Sequence, residues 1–231
     1  MKAFKWVAAA ALVLLACAAV FAWAWAGTDE TAKYRGNVSE VRSNILGGES
    51  QHFEVMVYTG KRESPYKLDG VANPLKDYFL VMAFPKVELE YGDTVTATVR
   101  IGEKKYTKTL AQHPYNGSYA ADFADSVVSG ENVIVNVTAR EFDEDVPVLS
   151  LLTEGMMDSD AAFKKGIELL KSSIDSTEEN GKFLCEIHVK LIKDTRNEET
   201  KLYWHVYIWD QNGEEYAVML EADAALAEQE Q

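Results

Sequence analysis

Two cysteines, Cys17 and Cys185, are all that the 231-residue chain contains. A small secreted scaffold stapled by several disulfides is thereby excluded, and the fold must rest on its hydrophobic core. Cationic side chains are also in short supply. Twenty-three Lys and Arg face 37 Asp and Glu, a formal charge of −14 at pH 7. Two of those cations, Lys2 and Lys5, fall within the first five residues, so the remainder is more acidic still. Such a charge repels phosphate backbones and anionic lipid faces, so no nucleic-acid partner is expected. Catalytic signatures are missing as well. There is no G-x-S-x-G, H-E-x-x-H, P-loop, G-x-G-x-x-G or C-x-x-C, so no motif points to an enzyme or to a cofactor.

What the chain does have begins at its N-terminus. Lys2 and Lys5 precede an unbroken apolar run from Trp6 to Ala26, followed by Gly27-Thr28-Asp29-Glu30. Basic, apolar and small-residue regions in that order form an export signal. Three readings of residues 1–26 stay open. The first is a secretory signal cut after Ala26. The second is an uncleaved anchor in the cytoplasmic membrane, since about 20 apolar residues span a bilayer and Trp23 and Trp25 suit its interface. The third is lipidation at Cys17, because Leu14-Leu15-Ala16-Cys17 resembles a bacterial lipobox. All three put the rest of the chain outside the cytoplasm, secreted or anchored to the outer face of the cytoplasmic membrane.

Residues 27–140 read as strand after strand. In Thr94–Ile101, Val95, Ala97, Val99 and Ile101 point one way and the polar residues the other, a half-buried strand. Gly102-Glu103 turns it into a hairpin with Lys104–Leu110. Phe53, Val55 and Val57 alternate, as do Val133, Val135 and Val137, and Tyr78–Phe84 is a mostly apolar run. Thr59–Tyr66 reads as a polar connection between strands, with a recognition loop as its other reading. About seven short strands at regular spacing predict an antiparallel β-sandwich that resembles an immunoglobulin-like domain in layout, without its Cys…Trp…Cys pin. Residues 141–158, beginning with the acidic Glu141–Asp145, read as an interdomain linker.

After Asp160 the period changes. Phe163, Ile167, Leu170 and Ile174 make one helical stripe, which Asp158, Ser159 or Asp160 can cap. Three strand-like runs follow, Phe183–Lys193, Leu202–Asp210 and Glu215–Glu221, and residues 223–231 form a tail. The expected fold class is mainly β in two domains: the sandwich, then a small α+β domain over 159–222 with one helix on a three-stranded antiparallel meander. With 194–199 as the hairpin loop, Cys185 faces Ile208, Ile187 faces Val206, Val189 faces Trp204 and Leu191 faces Leu202. This apolar face would pack on the helix, with Cys185 an inert thiol.

The other face then pairs Glu186 with Tyr207, His188 with His205 and Lys190 with Tyr203. Its polar and aromatic residues, Glu186, His188, Tyr203, His205 and Tyr207, are the candidate binding residues. Opposed His188 and His205 with Glu186 nearby also set up an alternative reading as a metal site, in a metal-binding protein or metal-dependent enzyme. Beyond Asn212-Gly213, a bulged turn would put Val218 and Leu220 on the core face. The run Cys185–Leu191, Leu202–Ile208 and Asn212–Leu220 after a helix resembles a PepSY-type domain. In place of that family's Asp followed by Thr-Gly-Glu, the chain reads Glu221-Ala222-Asp223 after Leu220. The resemblance implies a non-catalytic cell-envelope protein with an extracellular protein or peptide ligand as partner.

Overall fold

Period-two alternation builds most of the chain, as the sequence leads one to expect, but the strands it makes join differently. The computed structural model describes residues 29–67, 69–90, 92–114, 117–124, 132–194 and 201–223. The expected export signal, Cys17 and nearly all of the 223–231 tail therefore lie outside the described residues. The chain divides into two compact units, Met1–Arg35 and Gly36–Gln231. In the described part of the first, the Asp29 carboxylate accepts the Thr31 backbone N–H at 3.1 Å, where a 3-10 helix, Glu30–Asn37, begins.

The second unit opens with β1 (Val38–Glu49), β2 (Phe53–Glu63), β3 (Leu75–Pro85) and β4 (Val95–Ile101). There follow β5 (Lys104–Gln112), β6 (Tyr119–Ala124), β7 (Val133–Ala139) and β8 (Phe142–Ser150). Neighbours run in the order β1-β2-β3-β6-β5-β4-β7-β8, and β8 returns to β1 through Leu46 opposite Ser150 and Gly47 opposite Leu149. The result is a closed eight-stranded barrel, a size whose interior side chains can fill. Phe53, Val55, Val57, Phe79, Val81, Val95, Val99, Val135, Val137 and Val146 meet in that interior, each fully buried.

Downstream come the helix α1 (Ser159–Asp175), a short hairpin of β9 (Glu178–Glu179) and β10 (Lys182–Phe183), then β11 (Cys185–Asp194), β12 (Lys201–Asp210) and β13 (Glu215–Glu221). Strands β11 to β13 form an antiparallel meander. The meander is not a separate sheet. β11 lies parallel to the first half of β1, with Val41 beside Val189 and Arg42 beside Lys190, so the barrel wall runs on into it. The Asn37 side chain fastens this seam, donating to the Phe183 and Cys185 carbonyls at 2.7 and 2.9 Å.

A sandwich followed by an independent α+β domain is thus overturned. Alternation marks strands with one buried face, which sandwiches and barrels share; it does not say which edges meet. The stretch read as an acidic linker contains β8, where Val146 and Val148 point into the barrel while Asp143 and Asp145 lie on the outer face. Thr59–Glu63, read as part of a connection, continues β2 as far as Glu63. Gly60 permits this, since a Cβ there would come within 2.0 Å of the Val41 carbonyl oxygen on β1.

The helix stripe lands as the sequence implies. Phe163, Ile167, Leu170 and Ile174 are buried, and Asp158 caps α1 by accepting the Ala161 N–H. Trp204, fully buried, donates its indole N–H to the Met157 carbonyl at 2.9 Å. At Gly166 the helix lies against β12: a Cβ there would sit 2.5 Å from Val206 Cγ1 and 2.7 Å from its Cβ. Alanine would raise helix propensity by about 1 kcal/mol, yet forcing a methyl into this seam costs about 1–3 kcal/mol. Gly166→Ala should therefore lower the urea midpoint, and Val206→Ala in the same chain should recover part of the loss. A higher midpoint for Gly166→Ala would mean the helix has room to spare.

Candidate functional site

Among the described residues, the face of the sheet opposite α1 holds a group of buried polar side chains that includes Glu40, Glu186 and His188. The pleat lines this face up across six strands. One row across the sheet runs Lys76, Arg62, Glu40, His188, Tyr207 and Ala217, and the next runs Tyr78, Gly60, Arg42, Lys190, His205 and Met219. Glu40 is its hub, 3% exposed. Its carboxylate accepts the Tyr78 hydroxyl, meets Lys190 Nζ at 2.7 Å, and lies 3.5 Å from Arg42 and 3.9 Å from His188 Nδ1.

Burial alone would raise the Glu40 pKa. Its neighbours His188, Lys190 and Tyr78 outweigh burial and hold the carboxyl well below the usual range. The same burial, reinforced by the charge of Glu40, pushes the phenols of Tyr78 and Tyr207 upward. Arg42 is pushed upward too: burial works against its charge, but Tyr78 and Glu40 prevail.

Residues 64–67 and 69–74, between β2 and β3, strap this face, held by two buried carboxylates. Glu63 accepts the Lys67 and Asn73 backbone N–H groups and the Asn73 amide. Glu186, fully buried, accepts the Asp69 and Gly70 N–H groups at 2.6 and 2.7 Å. The strap is close-packed at Gly70, whose φ is +76° and where a Cβ would meet Gln211 Cγ at 2.8 Å. Arg62 lies over the rings of Tyr66 and Tyr78 and pairs with Asp122. Together Arg62, Glu63, Ser64, Tyr66, Lys76, Asp77 and Tyr78 line a cleft of about 210 Å³.

The residues expected to bind lie on one face, as their alternation requires, but in another register. β11 and β12 pair two residues away from the expected alignment: Ile187 opposes Ile208, Val189 opposes Val206 and Leu191 opposes Trp204. A slip of two leaves every side chain on its own face, so the apolar pattern cannot detect it. His188 consequently faces Tyr207, and His205 faces Lys190, so the opposed histidine pair is not formed.

Tyr207 stands against both imidazoles, stacked on His188 at 4.4 Å and on His205 at 4.8 Å. Burial, with Lys190 and His188 nearby, pushes the His205 imidazole pKa down against the pull of Glu215. His188 is fully buried, its Nε2 3.3 Å from Glu186 Oε2 without hydrogen-bond geometry. Among the described residues no three His, Cys, Asp or Glu side chains converge as a metal centre requires.

Tyr203 and His205 are half-buried, while Glu186 and His188 are sealed beneath the face. Glu40, Glu63, Tyr78 and Lys190 complete the cluster; the sequence placed Lys190 on this face without marking it as a candidate, and did not connect the other three to it. The one available signal was the alternation of Glu40-Val41-Arg42, which marks a strand but not its parallel partner. Cys185 is buried, and burial pushes its thiol up, as an inert thiol requires. Val218 and Leu220 share the α1 side of the sheet with Val206 and Trp204, which they oppose, and Gly213 takes a φ of +80° at the turn.

No protein-family model matches the chain, and neither a curated protein nor a solved structure matches it.

As built, the cluster is a clamp. It joins β1 to β11 and ties down the strap with charge-assisted hydrogen bonds. Removing the hub should loosen both. Breaking a buried pair costs about 3–5 kcal/mol, and Lys190 and Arg42 keep some solvent contact, so Glu40→Gln should cost roughly 2–4 kcal/mol. The sign of the pH effect follows from the depressed Glu40 pKa. Its stabilisation is fully present above the ordinary glutamate value of 4.5 and is lost as pH falls below it toward the folded-state value. Urea titrations across that acid range should give a flatter stability profile for Glu40→Gln than for the unaltered chain. Parallel profiles would remove Glu40 from the hub.

Proposed function

We propose that the protein is a non-catalytic cell-envelope protein, acting outside the cytoplasmic membrane, that takes an extended segment of a protein or peptide partner along β13. One observation carries the binding half of this reading. Among the described residues β13 pairs only with β12, and its far edge is open. An open edge presents unpaired N–H and C=O groups to another strand, and proteins ordinarily guard such edges with Lys, Pro or charge. The partly open strands β5 and β8 carry such guards: Lys104, Lys105 and Lys108 on β5; Asp143, Glu144, Asp145 and Pro147 on β8. β13 has an uninterrupted apolar centre, Tyr216-Ala217-Val218-Met219-Leu220, with Tyr216 38% and Met219 50% exposed. Main-chain pairing supplies affinity in strand addition, and side chains at alternate positions supply specificity.

The export half rests on the N-terminal Lys2, Lys5 and the apolar Trp6–Ala26 run. Fractionated cells should yield a chain starting at Gly27 in the medium, or a membrane-bound chain that external protease can reach; a protease-protected chain in the cytoplasm would contradict export. For binding, hydrogen exchange of the full chain with an extended, valine-rich heptapeptide should show new protection at β13 amides. Met219→Lys, which installs the missing guard, should reduce that protection. Protection confined to other strands would overturn the assignment of β13.

A further inference from the structure

The side chains of β13 say more about its partner than its backbone does, on the reading that β13 accepts an added strand. On the face shared with Tyr207 and His205, β13 shows Glu215, Ala217, Met219 and Glu221 in order. On the α1 side it shows Tyr216, Val218 and Leu220. The central residues are apolar on both faces, and both ends of one face are acidic and exposed. Exposed Glu214 and Asp223 extend the acidity just beyond the strand.

An added strand lies about 4.8 Å away, so its side chains meet those of β13 directly. A second copy of the chain fits this edge poorly. Antiparallel pairing of two β13 strands centred on Val218 sets Glu215 of each copy against Glu221 of the other. Both ends of the ladder then carry like charges face to face, which is destabilising. Slipping the copies to separate these charges shortens the ladder, and each chain carries −14 overall.

We infer that the partner of β13 is an extended segment with cationic side chains six residues apart, flanking apolar residues at alternate positions, and not a second copy of this chain. In antiparallel register one cation meets Glu215 and the other Glu221. The three apolar side chains between them fall beside Tyr216, Val218 and Leu220 and continue the apolar side of the sheet.

Two synthetic heptapeptides test this against the full chain. One has lysine at both ends, valine at positions two, four and six, and serine elsewhere; the other replaces both lysines with glutamate. Reversing charge at two cross-strand positions changes affinity by about tenfold. At low salt the lysine peptide should bind about tenfold tighter by calorimetry, and the gap should narrow at high salt. Glu215→Lys combined with Glu221→Lys, both on exposed positions, should invert the order. Equal affinity, with β13 amides still protected from exchange, would overturn the charge inference while leaving strand addition standing. If neither peptide protects β13, strand addition itself falls, and this inference with it. Sedimentation showing dimers that Met219→Lys abolishes would identify a second copy as the occupant and overturn the proposal.

Discussion

Strand β1 belongs to two structures at once, and the rest of the chain is arranged around that double membership. Its second half closes the barrel against β8, while its first half lies parallel to β11 and carries the meander. The register shifts between Arg42 and Asn44, opposite Gly60 and Thr59 on β2. A bulge bends a strand and increases its local twist, as a strand must to leave a barrel wall and enter an open extension. Gly48, where a Cβ would come within 2.1 Å of the Pro147 carbonyl oxygen, lets the closing strands cross without a side chain between them. The barrel interior is filled by β-branched and aromatic side chains, and the edge proposed for binding lies on the extension.

The polar cluster on the outer face answers a problem that this arrangement creates. The seam between β1 and β11 joins segments about 150 residues apart, and no turn fixes its register. Apolar contacts alone tolerate a slip of two, because such a slip returns every side chain to its own face. The charges do not. In the observed register Glu40 lies beside His188, within reach of Lys190. Slipped by two one way, Glu40 would sit beside Glu186, and Glu186 would leave the Asp69 and Gly70 N–H groups of the strap. Buried ion pairs add little net stability over apolar packing, but breaking one is costly. That asymmetry favours one alignment, whatever the pairs contribute in total.

The same insensitivity to even slips explains what could and could not be read in the sequence. Most strand positions, the Phe163–Ile174 stripe and the inward and outward faces of β11 and β12 were legible, because burial repeats locally. The partner of an edge is not a local property. Closure of the barrel depended on recognising Val146 and Val148 in a stretch dominated by Glu141–Asp145, where charge hid the alternation. The alignment of His188 with Tyr207 instead of His205 depended on Glu40, far earlier in the chain. The candidate binding face was therefore correctly assembled as a face but mistaken for an open one. Nothing local announces that Asp69 and Gly70 fold back onto Glu186.

The contrast between this covered face and β13 is why the proposed binding is assigned to β13. The strap is bound to Glu186, and lifting it strands two carboxylates that now hold four backbone N–H groups. Leaving buried charges without their donors costs several kcal/mol, so the face is poorly suited to opening for each ligand. β13 requires no such rearrangement. Tyr216, Ala217 and Met219 are exposed, and among the described residues its outer edge pairs with no strand, while its acidic ends discourage the antiparallel self-pairing that unguarded edges otherwise undergo. Charge at the ends in place of lysine at the centre limits self-association and leaves a partner of opposite charge free to dock. On the proposed reading, an edge charged only at its ends selects among strands and does not exclude them all.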